Sequence, residues 1–157
     1  MTIRPARPED LAAITAIVDE AYGPYVARLG RKPLPMLDDH AARIRDGQAW
    51  VAEVNGRVAG VLVLLRQDDH ALLDNVAVAA AMRGTGVGRA LLEFAEAEAA
   101  RRSHDELRLY THETMVENIA LYGRIGYREA GRTPFHGGHR VDFHKKLPRG
   151  HRGEIPG

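Results

Sequence analysis

Cysteine is absent from this 157-residue chain. That excludes disulfides, thiolate nucleophiles and cysteine-bound zinc together, and it fits a reducing cytoplasm, where the protein is expected to reside. An excess of charge is missing too: 22 Lys and Arg nearly cancel 21 Asp and Glu, for a formal net charge of +1. Without surplus positive charge to displace counterions, broad binding of nucleic acid is not expected. Long hydrophobic runs are also missing. The strongest, "VAGVLVLL" at 58–65, is far too short to cross a bilayer as a helix. "MTIRPARPED" carries charge with no apolar core behind it, so no signal peptide is expected. What remains suits one globular domain with a sizeable core. We expect that domain over residues 1–148 and a flexible tail over 149–157, where no core-forming run appears.

The order of elements is read from periodicity and punctuation. "TIRPA" reads as a strand, and a helix follows from Pro8, with Glu9 and Asp10 at its positive end and Leu11, Ile14, Ile17 and Val18 on one face. Gly23-Pro24 interrupts it, "GRKPLPM" reads as a loop, and a short helix over 38–45 takes Asp38 as its cap. Asn55-Gly56 between two apolar runs predicts a tight hairpin. "ALLDNVAVAA" is a further strand, followed by a helix over 87–103 whose apolar side is Leu91, Leu92, Phe94, Ala95 and Ala99. "ELRLYT", "GYREAGR" and "HRVDFHKKL" read as strands, with a helix over "MVENIALYGRI". The sum is an α/β (α+β) fold: a mixed, mostly antiparallel sheet with a strand–helix–strand crossover in the middle. The 58–65 run predicts a central strand buried on both faces.

The segment "MRGTGVGRALLEF" joins a strand to a helix through Arg83, Gly84, Thr85, Gly86, Val87, Gly88 and Arg89. A helix start exposes unpaired N–H groups and partial positive charge, and glycines let an anion approach them. Arg83 and Arg89 add charge-assisted donors. These features point to phosphate or pyrophosphate. A nucleoside-triphosphate loop needs Gly-Lys-Ser/Thr, whereas Gly88 is followed by Arg89-Ala90. The dinucleotide fingerprint needs a different third glycine spacing and an earlier place in the chain. A glycine-rich start serving only strand–helix packing is the bland alternative, weakened by three glycines in five residues with an arginine on each side.

Arg83, Gly86 and Gly88 fill the pattern Gln/Arg-x-x-Gly-x-Gly/Ala, and this stretch resembles motif A of the GNAT family of N-acetyltransferases. Downstream, "ENIALYGRIGYRE" resembles that family's next motif, and the element order matches nearly throughout. The resemblance implies a GNAT-type sheet with helices on both faces, and acetyl-CoA as co-substrate. It implies that Val76, Ala77 and Val78 offer backbone groups to the pantetheine arm and that residues 83–89 hold the pyrophosphate. Asn118 would touch the pantetheine, and Tyr122 would stand near the thioester sulfur as general acid. The Val76 N–H would polarise the acyl carbonyl. Tyr122 has a rival role as a core aromatic, although Ile119 and Ile125 already supply that helix with apolar character. Asn118 and Tyr122 stand one turn apart on one face.

The acceptor side is less defined. Tyr22 and Tyr25, beside the Gly23-Pro24 break, are candidate substrate contacts, with loop-anchoring packing as the alternative. Asp74, His112, Glu113 and Glu53 are candidate bases; Asp74 and His112 also count as acceptor contacts. Deprotonation through water and backbone groups is the alternative to any of them. His136, His139 and His144 surround a Gly137-Gly138 turn with no carboxylate pattern beside them, so no metal is expected. The expected activity is direct acetyl transfer from acetyl-CoA to a primary amine of a small molecule. A different acyl-CoA, a protein lysine or N-terminal acceptor, and a non-catalytic CoA-binding regulatory module are the alternatives. The expected partners are acetyl-CoA and the amine, with a homodimer allowed, and neither nucleic acid nor membrane.

Overall fold

A computed structural model describes residues 1–135 and 137–148; the expected tail at 149–157 lies outside the described residues. The chain divides into two compact units, one of Met1–Leu65 with Asp74–Ala95, the other beginning with Arg66–Leu73 and resuming at Glu96. The elements are β1 (Thr2–Pro5), α1 (Leu11–Tyr22), α2 (Tyr25–Leu29), α3 (Leu34–Leu37), α4 (His40–Arg45), β2 (Ala49–Val54), β3 (Arg57–Arg66) and β4 (Ala71–Val78). Then come α5 (Val87–Arg101), β5 (Glu106–His112), α6 (Val116–Arg124), β6 (Arg128–Phe135) and β7 (Gly138–Lys146). The seven strands follow the order β1-β2-β3-β4-β5-β7-β6. Pairing is antiparallel for β1/β2, β2/β3, β5/β7 and β6/β7, and parallel for β4/β5. The mixed, mostly antiparallel sheet expected from the sequence is thus present.

In the first unit, Asn55 (φ 51°) and Gly56 (φ 77°) both adopt positive φ, which makes the predicted two-residue turn between Val54 and Arg57. β3 is buried from Ala59 through Leu64, as the apolar run implied. Its residues alternate between two helices. Val61 and Val63 join Ile14, Ile17 and Val18 of α1 in one cluster, together with Val51 and Ala77. Gly60 turns the other way: a Cβ there would meet Leu91 Cδ1 at 2.9 Å and Val87 Cγ1 at 3.0 Å, so glycine lets α5 settle on the strand. Trp50 and Phe94 add an aromatic contact, with centroids 5.8 Å apart. Helices therefore cover both faces of this part of the sheet.

Four local expectations need correction. Pro8 opens a single tight turn, Pro8–Asp10, before α1; there the Asp10 carboxylate accepts the Arg7 N–H at 2.7 Å and the Arg4 guanidinium at 2.8 Å. That guanidinium bond holds the Asp10 carboxyl below its ordinary range. "GRKPLPM" is not all loop, because α3 forms within it. Pro33 and Pro35 sit at the start of that turn, where a missing N–H costs nothing. The cap of α4 is Asp39, which accepts the Ala42 N–H at 3.0 Å, since a capping oxygen must reach the amide three residues on. Asp38 instead pairs with Arg43 at 3.0 Å. α5 ends at Arg101 rather than 103, where Ser103 turns to φ 69°.

In the second unit, β7 lies between β5 and β6, and Val141 and Phe143 are buried with Leu107 and Leu109. β6 is exposed along seven of its eight residues, carries Arg128, Glu129, Arg132 and Pro134, and has a register shift between Glu129 and Gly131. Lys145 reaches Glu96 at 3.0 Å and the Ile125 carbonyl at 2.9 Å, tying β7 to the end of α6.

Candidate functional site

The glycine segment lies wholly in the first unit. The end of β4 is fixed by Ala79 N–H to the Ala59 carbonyl (2.9 Å), and Ala80 N–H donates to Glu20 Oε1 (2.6 Å). The chain then turns through Gly84 (φ 77°) and Gly86 (φ 92°), angles that side chains rarely tolerate. No atom lies within 4 Å of where a Cβ would stand on either residue. Backbone angle, not crowding, demands these two glycines, and the space before them is open. Gly88 differs: a Cβ there would make an ordinary contact with Val78 Cγ2 at 3.4 Å, so neither backbone angle nor crowding demands glycine. The first bond of the helix start runs from Ala90 N–H to the Gly86 carbonyl (3.0 Å). The amides of Val87, Gly88 and Arg89 therefore precede the repeating ladder and carry the helix's partial positive charge. The Thr85 hydroxyl donates to the Met82 carbonyl and closes the turn. Arg83 is exposed, and Arg89 pairs with Glu93 at 3.2 Å. This loop has the geometry of an anion cradle.

Along β4, Ala77 is buried in the α1 cluster, whereas Val76 and Val78 are half-buried. The Val76 carbonyl is already engaged: Tyr22 Oη lies 3.2 Å from it and 3.0 Å from Asn75 Oδ1. Tyr22, the last residue of α1, is thus committed to β4. Tyr25 carries the Arg28 guanidinium 4.8 Å above its ring. Asn75 is 3% exposed and its Nδ2 has no partner among the described residues. Sequence reasoning passed over Asn75, which with Asp74 interrupts an otherwise apolar strand, and that interruption was the available signal.

Asp74 lies beside the Arg43 guanidinium, with Oδ2 3.9 Å from Nη2. The fork of Arg43 is spent elsewhere, on Asp38 at 3.0 and 3.3 Å and on Gln48 at 3.1 Å. Burial pushes the Asp74 carboxyl above its ordinary range, Asp38 adds to the rise, and Arg43 offsets part of it. Glu53, another candidate base, is held by Arg4 at 3.3 Å.

In the second unit, Tyr122 is buried on α6, its ring 5.6 Å from Tyr127 and 6.0 Å from Phe143. Asn118, one turn earlier, lies over Met115, with Nδ2 3.8 Å from the sulfur. His112 Nδ1 faces the Thr114 N–H at 3.2 Å and the Thr114 hydroxyl at 3.0 Å. An Nδ1 that accepts leaves the proton on Nε2, which is buried without a partner among the described residues. A Cβ on Gly138 would stand 2.9 Å from that nitrogen. Glu113 accepts the His139 N–H at 3.1 Å and lies 3.7 Å from Arg132, so it braces the β6–β7 hairpin. Tyr127, read from the sequence only as a strand start, has a buried hydroxyl without a partner among the described residues, and burial raises its pKa. Among the described residues no cluster of three His, Cys, Asp or Glu could hold a metal; His136 lies outside them. No helix among them is long and apolar enough to cross a membrane.

Known proteins share this architecture. The paia N-acetyltransferase of Thermoplasma acidophilum, solved with coenzyme A, superposes with a TM-score of 0.79 at 18% identity over 93% of this chain and 98% of its own. The ribosomal-protein-S18-alanine N-acetyltransferase of Escherichia coli gives 0.73 at 23% identity over 99% and 96%. In sequence, human N-acetyltransferase 8B is 30% identical over 102 residues, 60% of this chain and 45% of that protein, so the chain spans about half the length of this curated relative. The sequence profile of the Acetyltransferase (GNAT) family matches residues 13–127, taking in α1, the glycine loop and α6. The chain belongs to the GNAT acetyltransferase family.

Proposed function

We propose that this protein is an acetyl-CoA-dependent N-acetyltransferase that transfers the acetyl group directly to a primary amine of a small molecule. The observation that carries the reading is the loop at 83–89, where two positive-φ glycines leave open space before the free amides of a helix start. A pyrophosphate fits that donor set. Acetyl-CoA supplies the activated acyl group as a thioester. In this reading Arg83, Gly84, Thr85, Gly86, Val87, Gly88 and Arg89 hold the diphosphate. Val76, Ala77 and Val78 run along the pantetheine, with Asn118 as a further contact. The Val76 carbonyl is engaged by Tyr22, and in this reading the Val76 N–H polarises the acyl carbonyl. Tyr122 donates the proton that the departing thiolate needs. In this reading the catalytic domain covers residues 1–148, in the cytoplasm.

Asp74 is the general base in this proposal. An ammonium has no lone pair, so the amine must lose a proton before it attacks. Among the candidates, Glu53 and Glu113 are tied into ion pairs and His112 offers a donor rather than an acceptor, whereas Asp74 receives only a distant edge of Arg43. A single half-buried carboxylate also suits one small amine. Because folding raises the Asp74 pKa, its charged form costs stability, and that cost grows as pH rises through the raised value. Asp74→Asn should therefore lower kcat about a hundredfold while raising the melting temperature by roughly 2–4 °C, the response of such a domain to about 1 kcal/mol. Melting curves and pH–rate profiles check both; the acid limb of kcat/KM should vanish with the carboxylate.

The whole reading is tested by a panel of small amines, lysine peptides and N-terminal peptides, following release of free CoA thiol. Turnover on a small amine is expected. Turnover on peptides alone would move the acceptor to proteins. Tight acetyl-CoA binding with no turnover on any amine would leave a CoA-binding module.

A further inference from the structure

We propose that Tyr22 and Asn75 are a positioning pair that fixes the Val76 peptide for acyl transfer, through a hydrogen-bond chain running Asn75 Nδ2–H to Tyr22 Oη–H to Val76 O. The inference rests on the acetyltransferase reading above and adds two residues to it. Tyr22 Oη lies 3.0 Å from Asn75 Oδ1 and 3.2 Å from the Val76 carbonyl oxygen. A phenol has one proton, so it cannot donate fully to both acceptors. With Oδ1 toward the phenol, the buried Asn75 Nδ2 also has no partner among the described residues. Turning the amide by half a rotation resolves both defects. Nδ2 then donates to the phenol oxygen, whose proton goes to the Val76 carbonyl, and neither donor is wasted.

The consequence falls on the strand. The Val76 carbonyl shares a planar peptide with the Ala77 N–H, so pinning its oxygen pins that plane. Ala77 is buried in the α1 cluster, which fixes the other side of the same peptide. The carbonyl side of Val76 is thereby held next to the N–H that the proposed function assigns to the acyl oxygen, and each bond in such a chain polarises the next. The link joins residues 53 and 54 positions apart, from the last residue of α1 to β4. Gly23, whose N–H bonds to the Asp19 carbonyl at 2.9 Å, and Pro24 end α1 at that point and set the ring's place.

Tyr22→Phe keeps the ring and deletes the hydroxyl. It should lower kcat about tenfold, since small misplacements of a reacting group are costly, while KM for the amine, Kd for acetyl-CoA and the melting temperature stay near wild type. Asn75→Ala should do the same, and the double variant should lose no more than the worse single one, as members of one chain do. Asn75→Asp keeps the shape but replaces the amide nitrogen by a second oxygen and, ionised, offers no donor, so it should behave like Asn75→Ala. Wild-type kcat in Tyr22→Phe would overturn the proposal, as would a raised KM for the amine, which would make Tyr22 an acceptor contact. Wild-type kcat in Asn75→Asp would overturn the direction of the chain. A wild-type protein inert on every amine would instead remove the acetyltransferase reading and this inference with it. An active wild type with an unaffected Tyr22→Phe removes this inference alone.

Discussion

Gly86→Glu is expected to abolish measurable binding of acetyl-CoA, with Kd in calorimetry rising on the order of a hundredfold or more, as losing several charge-assisted bonds to a phosphate requires. Two effects act together. Gly86 holds φ 92°, where any side chain strains the backbone by about 1–3 kcal/mol. The new side chain would also project into the open space before the amides of Val87, Gly88 and Arg89, and its carboxylate would compete with the diphosphate for them. Gly86→Ala separates the two, because it carries the strain without the charge and should bind more weakly than wild type but better than Gly86→Glu. Unchanged affinity in Gly86→Glu, in a protein that still melts cooperatively, would show that the loop does not hold the cofactor.

Tyr122→Phe should leave acetyl-CoA affinity nearly intact and lower kcat about a hundredfold, the usual loss when a general acid is removed. Phenylalanine keeps the ring contacts with Tyr127 and Phe143, so the packing of α6 is preserved and the hydroxyl alone is tested. The thiolate left by acyl transfer then has no positioned proton. The loss should appear in kcat and kcat/KM equally, the mark of an interaction made in the transition state. Equal turnover in the two proteins would return Tyr122 to the role of a core aromatic, to which its 8% exposure also lends itself.

What the sequence revealed and what it hid divide along range. The Asn55-Gly56 turn, the burial of β3 and the amphipathic α5 were legible because each depends on neighbours within a turn or a strand. The turn at Gly84 and Gly86 was legible because both need a positive backbone angle, whereas neither angle nor crowding demands glycine at Gly88. Prolines misled: Pro33 and Pro35 read as breaks, yet a first helical turn accepts proline, and α3 forms there. The cap of α4 was misplaced by one residue because Asp38 and Asp39 are chemically equivalent until geometry selects one. Long-range pairings left no trace. Nothing near Tyr22 announces Asn75, and nothing near Asp74 announces that Arg43 is already spent on Asp38 and Gln48.

The exposed strand β6 bears on how this protein behaves in a crowded solution. An open strand edge is a template for another chain, and aggregation often begins there. Here Pro134 withholds an N–H, the irregularity at Glu129 and Gly131 breaks the register, and Arg128, Glu129 and Arg132 bring desolvation costs to any chain that docks alongside. Growth of the sheet from copy to copy through this edge is disfavoured. A homodimer, if one forms, is best sought on helical or loop surfaces, and high soluble expression should not depend on a partner strand.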